Sequence, residues 1–209
     1  MREVPVPQVA REVRELAFLF EISQTLNRSL DLREVVDPLL DSMAKHLEMV
    51  RSTIALLNRQ TGEIRIEAAH GLTESQRQRT RYSLGEGVTG KVVQSGQPAV
   101  IPRISEEPQF LDRTGARKAL SKEELSFICV PIKLGNEVIG ALSVDRPFPG
   151  HGVLQDDVRV LTIVASMIAQ AVRLRQAAEE ERERLLAENA RLQEELKERF
   201  RPAIIIGNS

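Results

Sequence analysis

The sequence predicts an α+β fold: an antiparallel sheet with helices on one face, extended by a long C-terminal helix patterned as a coiled coil. Three observations predict it. Ser126–Leu134 and Glu137–Arg146 are apolar-rich runs separated by Gly135-Asn136, a two-residue pair of the kind that closes tight antiparallel hairpins. Gly85, Gly87 and Gly90 open a short helical pattern, and a loop follows instead of a βαβ unit. From Asp156 or Asp157 to Arg199 the sequence reads as one helix whose apolar positions recur seven apart.

Composition narrows the function classes. An apolar fraction of 42% over 209 residues supports one core plus an extended element. The net charge of −1 gives no bulk attraction to nucleic acid or an anionic membrane, so direct nucleic-acid binding is not expected. A single cysteine, Cys129, excludes an internal disulfide framework and a cysteine-based zinc cluster. No signal peptide or membrane span is legible, so a cytoplasmic chain without a membrane partner is expected.

The elements follow in order. From Val9 to Leu30 the positions Val13, Leu16, Ala17, Leu19, Phe20 and Leu26 recur at helical spacing. Asp31, with Glu34 three residues on, suggests a capping box for a second helix reaching about Leu47, with Pro38 inside it. Ser52–Leu57 and Ile64–Ala69 read as strands around a turn at Thr61-Gly62. Thr73–Arg81 reads as a short polar helix, Val88–Ser95 as a second, and Gln97–Ile101 as a strand. Pro102 to Leu125 lacks periodicity, the mark of a functional or disordered loop, with room for a short helix near Gly115–Leu120.

A two-residue hairpin loop sets Leu134 opposite Glu137. An unbroken register from there puts Ser126, Ile128, Val130, Ile132, Ile139, Ala141, Ser143 and Asp145 on one face. Phe127, Cys129, Pro131, Val138, Gly140, Leu142 and Val144 then form an apolar face for helices. In the terminal helix, Leu161, Ile168, Asn189 and Leu196 take a positions, and Val164, Leu185 and Leu192 take d positions. Asn189 at a favours a two-stranded, in-register pair, and these residues are the expected homodimer seam. The competing reading is a single charged helix held by i,i+4 pairs.

Gly85-Glu86-Gly87-x-x-Gly90 lacks the strand context of a dinucleotide fingerprint and the Gly-Lys-Ser/Thr of a Walker A loop. It reads as a turn, or less simply as backbone amides facing an anion. His46, His70 and His151 fall in different elements without metal-ligand spacing, and no residue set assembles an enzyme site. Cys129 reads as a buried structural thiol, with a redox or iron-ligand role as the alternative. Arg103, Arg113, Arg117 and Lys118 in the long loop suit carboxylate or phosphate contacts, with Glu106, Glu107 and Asp112 as competing partners.

The order of Gly-rich turn, short helix, polar loop and hairpin resembles a GAF domain over about residues 15–175. The phrases PRISEEPQFLDRTG (102–115) and SFICVPIK (126–133) resemble more narrowly the GAF domain of NifA-type sigma-54-dependent activators. FRPAIIIGNS (200–209) resembles the entry into the AAA+ domain of that class. The resemblance implies a tail at 1–14, a sensory domain at 15–175, a coiled-coil linker at 176–200 and the start of an AAA+ domain at 201–209. It implies a GAF-type six-stranded antiparallel sheet with a ligand pocket under loops. It further implies a small metabolite such as 2-oxoglutarate as ligand, downstream AAA+ and DNA-binding domains in the full protein, and an anti-activator protein as partner. Arg103 is then the expected charge partner, and Ser126, Ser143 and Asp145 the polar anchors. Asp145 would repel a dianion unless it pairs with an arginine.

Overall fold

A computed structural model describes residues 6–26, 32–107, 110–111, 114, 125–148 and 151–199. Asp31, the loop cations Arg113, Arg117 and Lys118, the expected helix at 115–120 and the AAA+-like phrase at 201–209 lie outside them.

The element order is α1 (Val6–Leu26), α2 (Leu32–Leu47), β1 (Arg51–Asn58), β2 (Glu63–His70), α3 (Glu74–Arg79), β3 (Arg81–Ser83), α4 (Gly87–Ser95), β4 (Ala99–Ile101), β5 (Leu125–Leu134), β6 (Glu137–Pro147) and α5 (His151–Arg199). A 3-10 turn spans Ile104–Glu106. The six strands form one sheet in the order β3-β2-β1-β6-β5-β4, with every pairing antiparallel. The short edge strand β3 begins at Arg81, the last residue of the helix expected over Thr73–Arg81. That helix is capped by Thr73, whose hydroxyl accepts from the Gln76 amide while the Gln76 side chain accepts from Thr73 N–H.

Helices α1, α2 and α5 cover one face. Phe18 and Ile22 of α1, Val36, Leu39, Leu40 and Met43 of α2, and Leu161, Val164 and Ile168 of α5 pack with Ile54, Ile128, Val130, Ile132, Leu142 and Val144. Each fully buried aliphatic contributes about 1.5–3 kcal/mol of transfer free energy, so this layer supplies most of the stabilisation. The other face is covered by α4 and the 3-10 turn. Val92, Val93 and Ile104 meet Ala55, Ile64, Ile66, Phe127, Cys129 and Ala141 there.

The hairpin departs from its expected register. Leu134 does face Glu137, and Lys133 faces Val138, but a bulge then leaves Ile139 unpaired and sets Ile132 opposite Gly140. One extra residue inverts every later position. Leu142 and Val144 move to join Ile128 and Val130 on the α1/α2/α5 face, whereas Ala141, Ser143 and Asp145 join Phe127 and Cys129 on the α4 face. Gly140 sits where β6 crosses β1 closely: a Cβ there would lie 2.2 Å from the Ala55 carbonyl oxygen.

The seam expected along α5 is also corrected. Leu161, Val164 and Ile168 are fully buried against their own sheet and are not available to a second chain. The periodicity there records core packing. Every residue from Arg173 to Arg199 is exposed, including Leu185, Asn189, Leu192 and Leu196.

Candidate functional site

Two cross-strand rows define the site on the α4 face. In the first, Arg51 of β1 faces Asp145 of β6, which faces Phe127 of β5, which faces Ile101 of β4. In the second, Thr53 faces Ser143, which faces Cys129, which faces Ala99. Arg51 Nη1 donates to Asp145 Oδ2 at 3.4 Å, with the two side chains 10% and 1% exposed. The hydroxyls of Thr53 and Ser143 are 2.6 Å apart. Arg51, Thr53, Ser143 and Asp145 thus converge on a narrow cavity, closed by Leu72, Phe127 and Thr114.

This cavity leaves about 10 Å³ for the centre of a water-sized molecule, room for about one water. The paired arginine and carboxylate lie in the wall of this cavity. A charge this deep is tolerated because its partner is present. Of the expected polar anchors, Ser143 and Asp145 therefore share the site. Ser126 does not: it faces Arg146 on the opposite side of the sheet and donates to the Pro102 carbonyl at 2.6 Å. Arg103 is also elsewhere. It is exposed, donates to Glu106 at 2.9 Å and lies 5.1 Å over the Phe148 ring. Asp145 has an arginine partner, and it is Arg51. Alternation along β1, with Arg51, Thr53, Ala55 and Leu57 opposed to Ser52, Ile54 and Leu56, was a legible signal for Arg51. Its meeting with Asp145 across 94 residues was not.

Cys129 lies in the second row. Burial pushes its thiol up to about 12, and the Thr89 hydrogen bond offsets only part of that. Buried and raised in this way, it holds its proton at neutral pH. The glycine turn before α4 has a steric role: Gly85 and Gly87 adopt φ of 78° and 59°, and a Cβ on Gly90 would lie 2.3 Å from the Ser83 carbonyl oxygen. Among the described residues no group of three or more His, Cys, Asp or Glu side chains could hold a metal ion. No described helix is long and apolar enough to cross a membrane.

A second cleft, of about 180 Å³, lies behind the sheet between Glu15, His46, Leu47, Glu48, Arg146, Val153 and Asp157. Here Arg146 Nη1 donates to Asp157 Oδ2 at 2.5 Å, and both side chains are buried.

Comparison with known proteins agrees with this architecture. The GAF domain family matches residues 31–172. The nitrogen fixation protein VnfA of Azotobacter vinelandii is 44% identical over 195 residues, covering 93% of this chain and 37% of that protein. A Nif-specific regulatory protein of Azospirillum brasilense is 38% identical over 185 residues, covering 88% of this chain and 29% of that protein. The chain thus spans about a third of the length of these relatives. Among solved structures, the A. aeolicus nlh2 GAF domain in an inactive state superposes with a TM-score of 0.72 at 26% identity, covering 79% of this chain and 99% of that one. A free methionine-R-sulfoxide reductase from Neisseria meningitidis shares the fold at TM-score 0.65 and 18% identity, covering 78% of this chain and 91% of that one. The architecture therefore does not itself select a function. The family match over most of the chain, and the extended identity to nitrogen-fixation regulators, show that this chain belongs to the GAF domain family and is a NifA-like GAF domain.

Proposed function

We propose that this is the sensory domain of a sigma-54-dependent activator, that it binds a small anionic metabolite beside Arg51, and that it regulates a downstream AAA+ ATPase through α5. The observation that carries the reading is the convergence of a buried arginine with Asp145, Ser143 and Thr53 on one side of the sheet. A carboxylate ligand suits this place because guanidinium can exchange one carboxylate partner for another. 2-Oxoglutarate is the candidate that the family resemblance supplies. Binding requires the cavity to open, so the ligand shifts the protein only by its difference in affinity for open and closed states.

The exposed length of α5, Arg173–Arg199, spans about 40 Å at 1.5 Å per residue. Leu185, Leu192 and Leu196 are about half exposed. They fall with Asn189 on one heptad seam, which supports homodimerisation along this segment. Charge pairs along it, among them Glu179–Arg182, Glu181–Arg184 and Arg191–Glu195, are surface pairs worth only about 0.2–0.5 kcal/mol each.

A second reading is favoured by the size of the closed cavity, about one water. The domain would then be a ligand-free dimerisation and docking scaffold read by an anti-activator protein. Calorimetric titration of the chain with 2-oxoglutarate, beside an Arg51→Met variant, separates the two. Saturable binding that the variant loses supports the sensor and its site. Binding that survives the variant refutes the site. No binding by a folded dimer refutes this ligand and favours the scaffold.

A further inference from the structure

Asp145 and Arg146 are consecutive residues of β6, and alternation sends them to opposite faces of the sheet. Asp145 pairs with Arg51 in the front cavity. Arg146 pairs with Asp157 in the rear cleft. The four side chains are 10% exposed or less. Asp157 lies near the start of α5, the helix that runs on into the exposed segment.

We propose that these two residues relay the state of the front cavity to α5. The proposal rests on reading that cavity as the sensory site. Its ligand class is a molecule that brings a carboxylate to Arg51 and so competes with Asp145. Breaking a buried ion pair is strongly destabilising, so Asp145 and the end of β6 rearrange instead of remaining in place. Asp145 is also tied through its backbone, because its carbonyl accepts from Val50 N–H at 2.9 Å. Arg146 shares the next peptide unit and cannot follow without moving Asp157 or breaking that buried ion pair. It has little slack for doing so. Among the described residues its buried Nε finds no hydrogen-bond partner, and Glu48 is 3.9 Å from Nη2. Its 2.5 Å bond to Asp157 is therefore the short contact that orients it. Ser143 provides the contrast. It also faces the front cavity, but its strand neighbours Leu142 and Val144 make non-directional aliphatic contacts behind the sheet.

Hydrogen–deuterium exchange on the ligand-free 209-residue chain tests the relay. Asp145→Asn should speed amide exchange in α5 residues 154–165 at least about tenfold while α2 residues 35–43 keep their protection. Ser143→Ala should leave α5 unchanged. Asp157→Asn should reciprocally loosen β1 residues 51–53. Combining Asp145→Asn with Asp157→Asn should change the unfolding equilibrium constant by a factor at least about threefold away from the product of the single changes. Two independent structural contacts would simply multiply. If Asp145→Asn fails to fold, Arg51→Lys keeps the charge, loses the fork geometry and takes the same readout. The relay is overturned if the pocket variant leaves α5 exchange at the parent level, if Ser143→Ala accelerates it equally, or if the double variant is multiplicative. None of these readouts uses a ligand. Failure of 2-oxoglutarate to bind would count against the sensory reading alone, and a silent α5 would count against the relay alone.

Discussion

The two faces of the sheet are built from the same strands and solve different problems. Behind it, Ile54, Ile128, Val130, Ile132, Leu142 and Val144 meet three helices in an aliphatic layer. In front, α4 covers a smaller apolar cluster whose margin holds Arg51, Thr53, Ser143 and Asp145. The rear is mostly aliphatic. The front keeps polar groups buried in pairs, which costs desolvation and leaves a surface that can be reorganised by exchanging partners.

The largest effect that tests this contrast should come from the ion pair set within the rear layer. Arg146→Ala breaks the buried ion pair with Asp157 and should cost about 3–5 kcal/mol in urea unfolding. Leu142→Ala removes fully buried methyl groups from the same layer and should cost about 2–5 kcal/mol by the same measurement. A cost below about 1 kcal/mol for either would mean that the rear layer can collapse or rehydrate, and the contrast would fail.

Effects in front should be smaller. The raised Cys129 thiol makes stability depend on alkaline pH. The folded protein holds this proton above the unfolded value near 9, while the unfolded chain releases it. The contribution is therefore whole below about pH 9 and falls by about 1.4 kcal/mol per pH unit as pH rises toward 12. Cys129→Ala should flatten that slope in urea titrations at pH 8 to 10. An unchanged slope would assign the effect to another group. Thr53→Val removes the Ser143 partner and should cost about 1 kcal/mol, part of which Ser143→Ala recovers in the double variant. Arg103→Ala, which loses an exposed pair with Glu106, should change stability by no more than about 1 kcal/mol.

Much of the fold was legible because its signals are local. Gly135-Asn136 fixes the hairpin loop, and the turn at Thr61-Gly62 and the glycines before α4 mark other chain reversals. β3 escaped notice because three residues paired at an edge leave too short a pattern to detect. The site was half legible. Ser143 and Asp145 are expected together as polar anchors and share the cavity, but Ser126 is expected on their face only because one bulged residue, Ile139, is invisible to an alternation count. Arg103 is the expected charge partner because loop cations are conspicuous, whereas Arg51 stands one residue before the strand expected at Ser52–Leu57 and gains its partner only through strand pairing.

The sequence by itself determined the element types, the hairpin turn, the long terminal helix and a chain without a legible catalytic constellation. These depend on periodicity and turn chemistry within a few residues. Tertiary structure decided which side of the sheet each β6 side chain faces, since the bulge and the close passage of Gly140 over the Ala55 carbonyl belong to strand pairing. It also decided which stretch of the α5 heptad pattern is spent on the core and which remains exposed. A seven-residue repeat states that one helix face is apolar. Only the neighbours present in the fold determine whether that face meets its own sheet or is left for another chain.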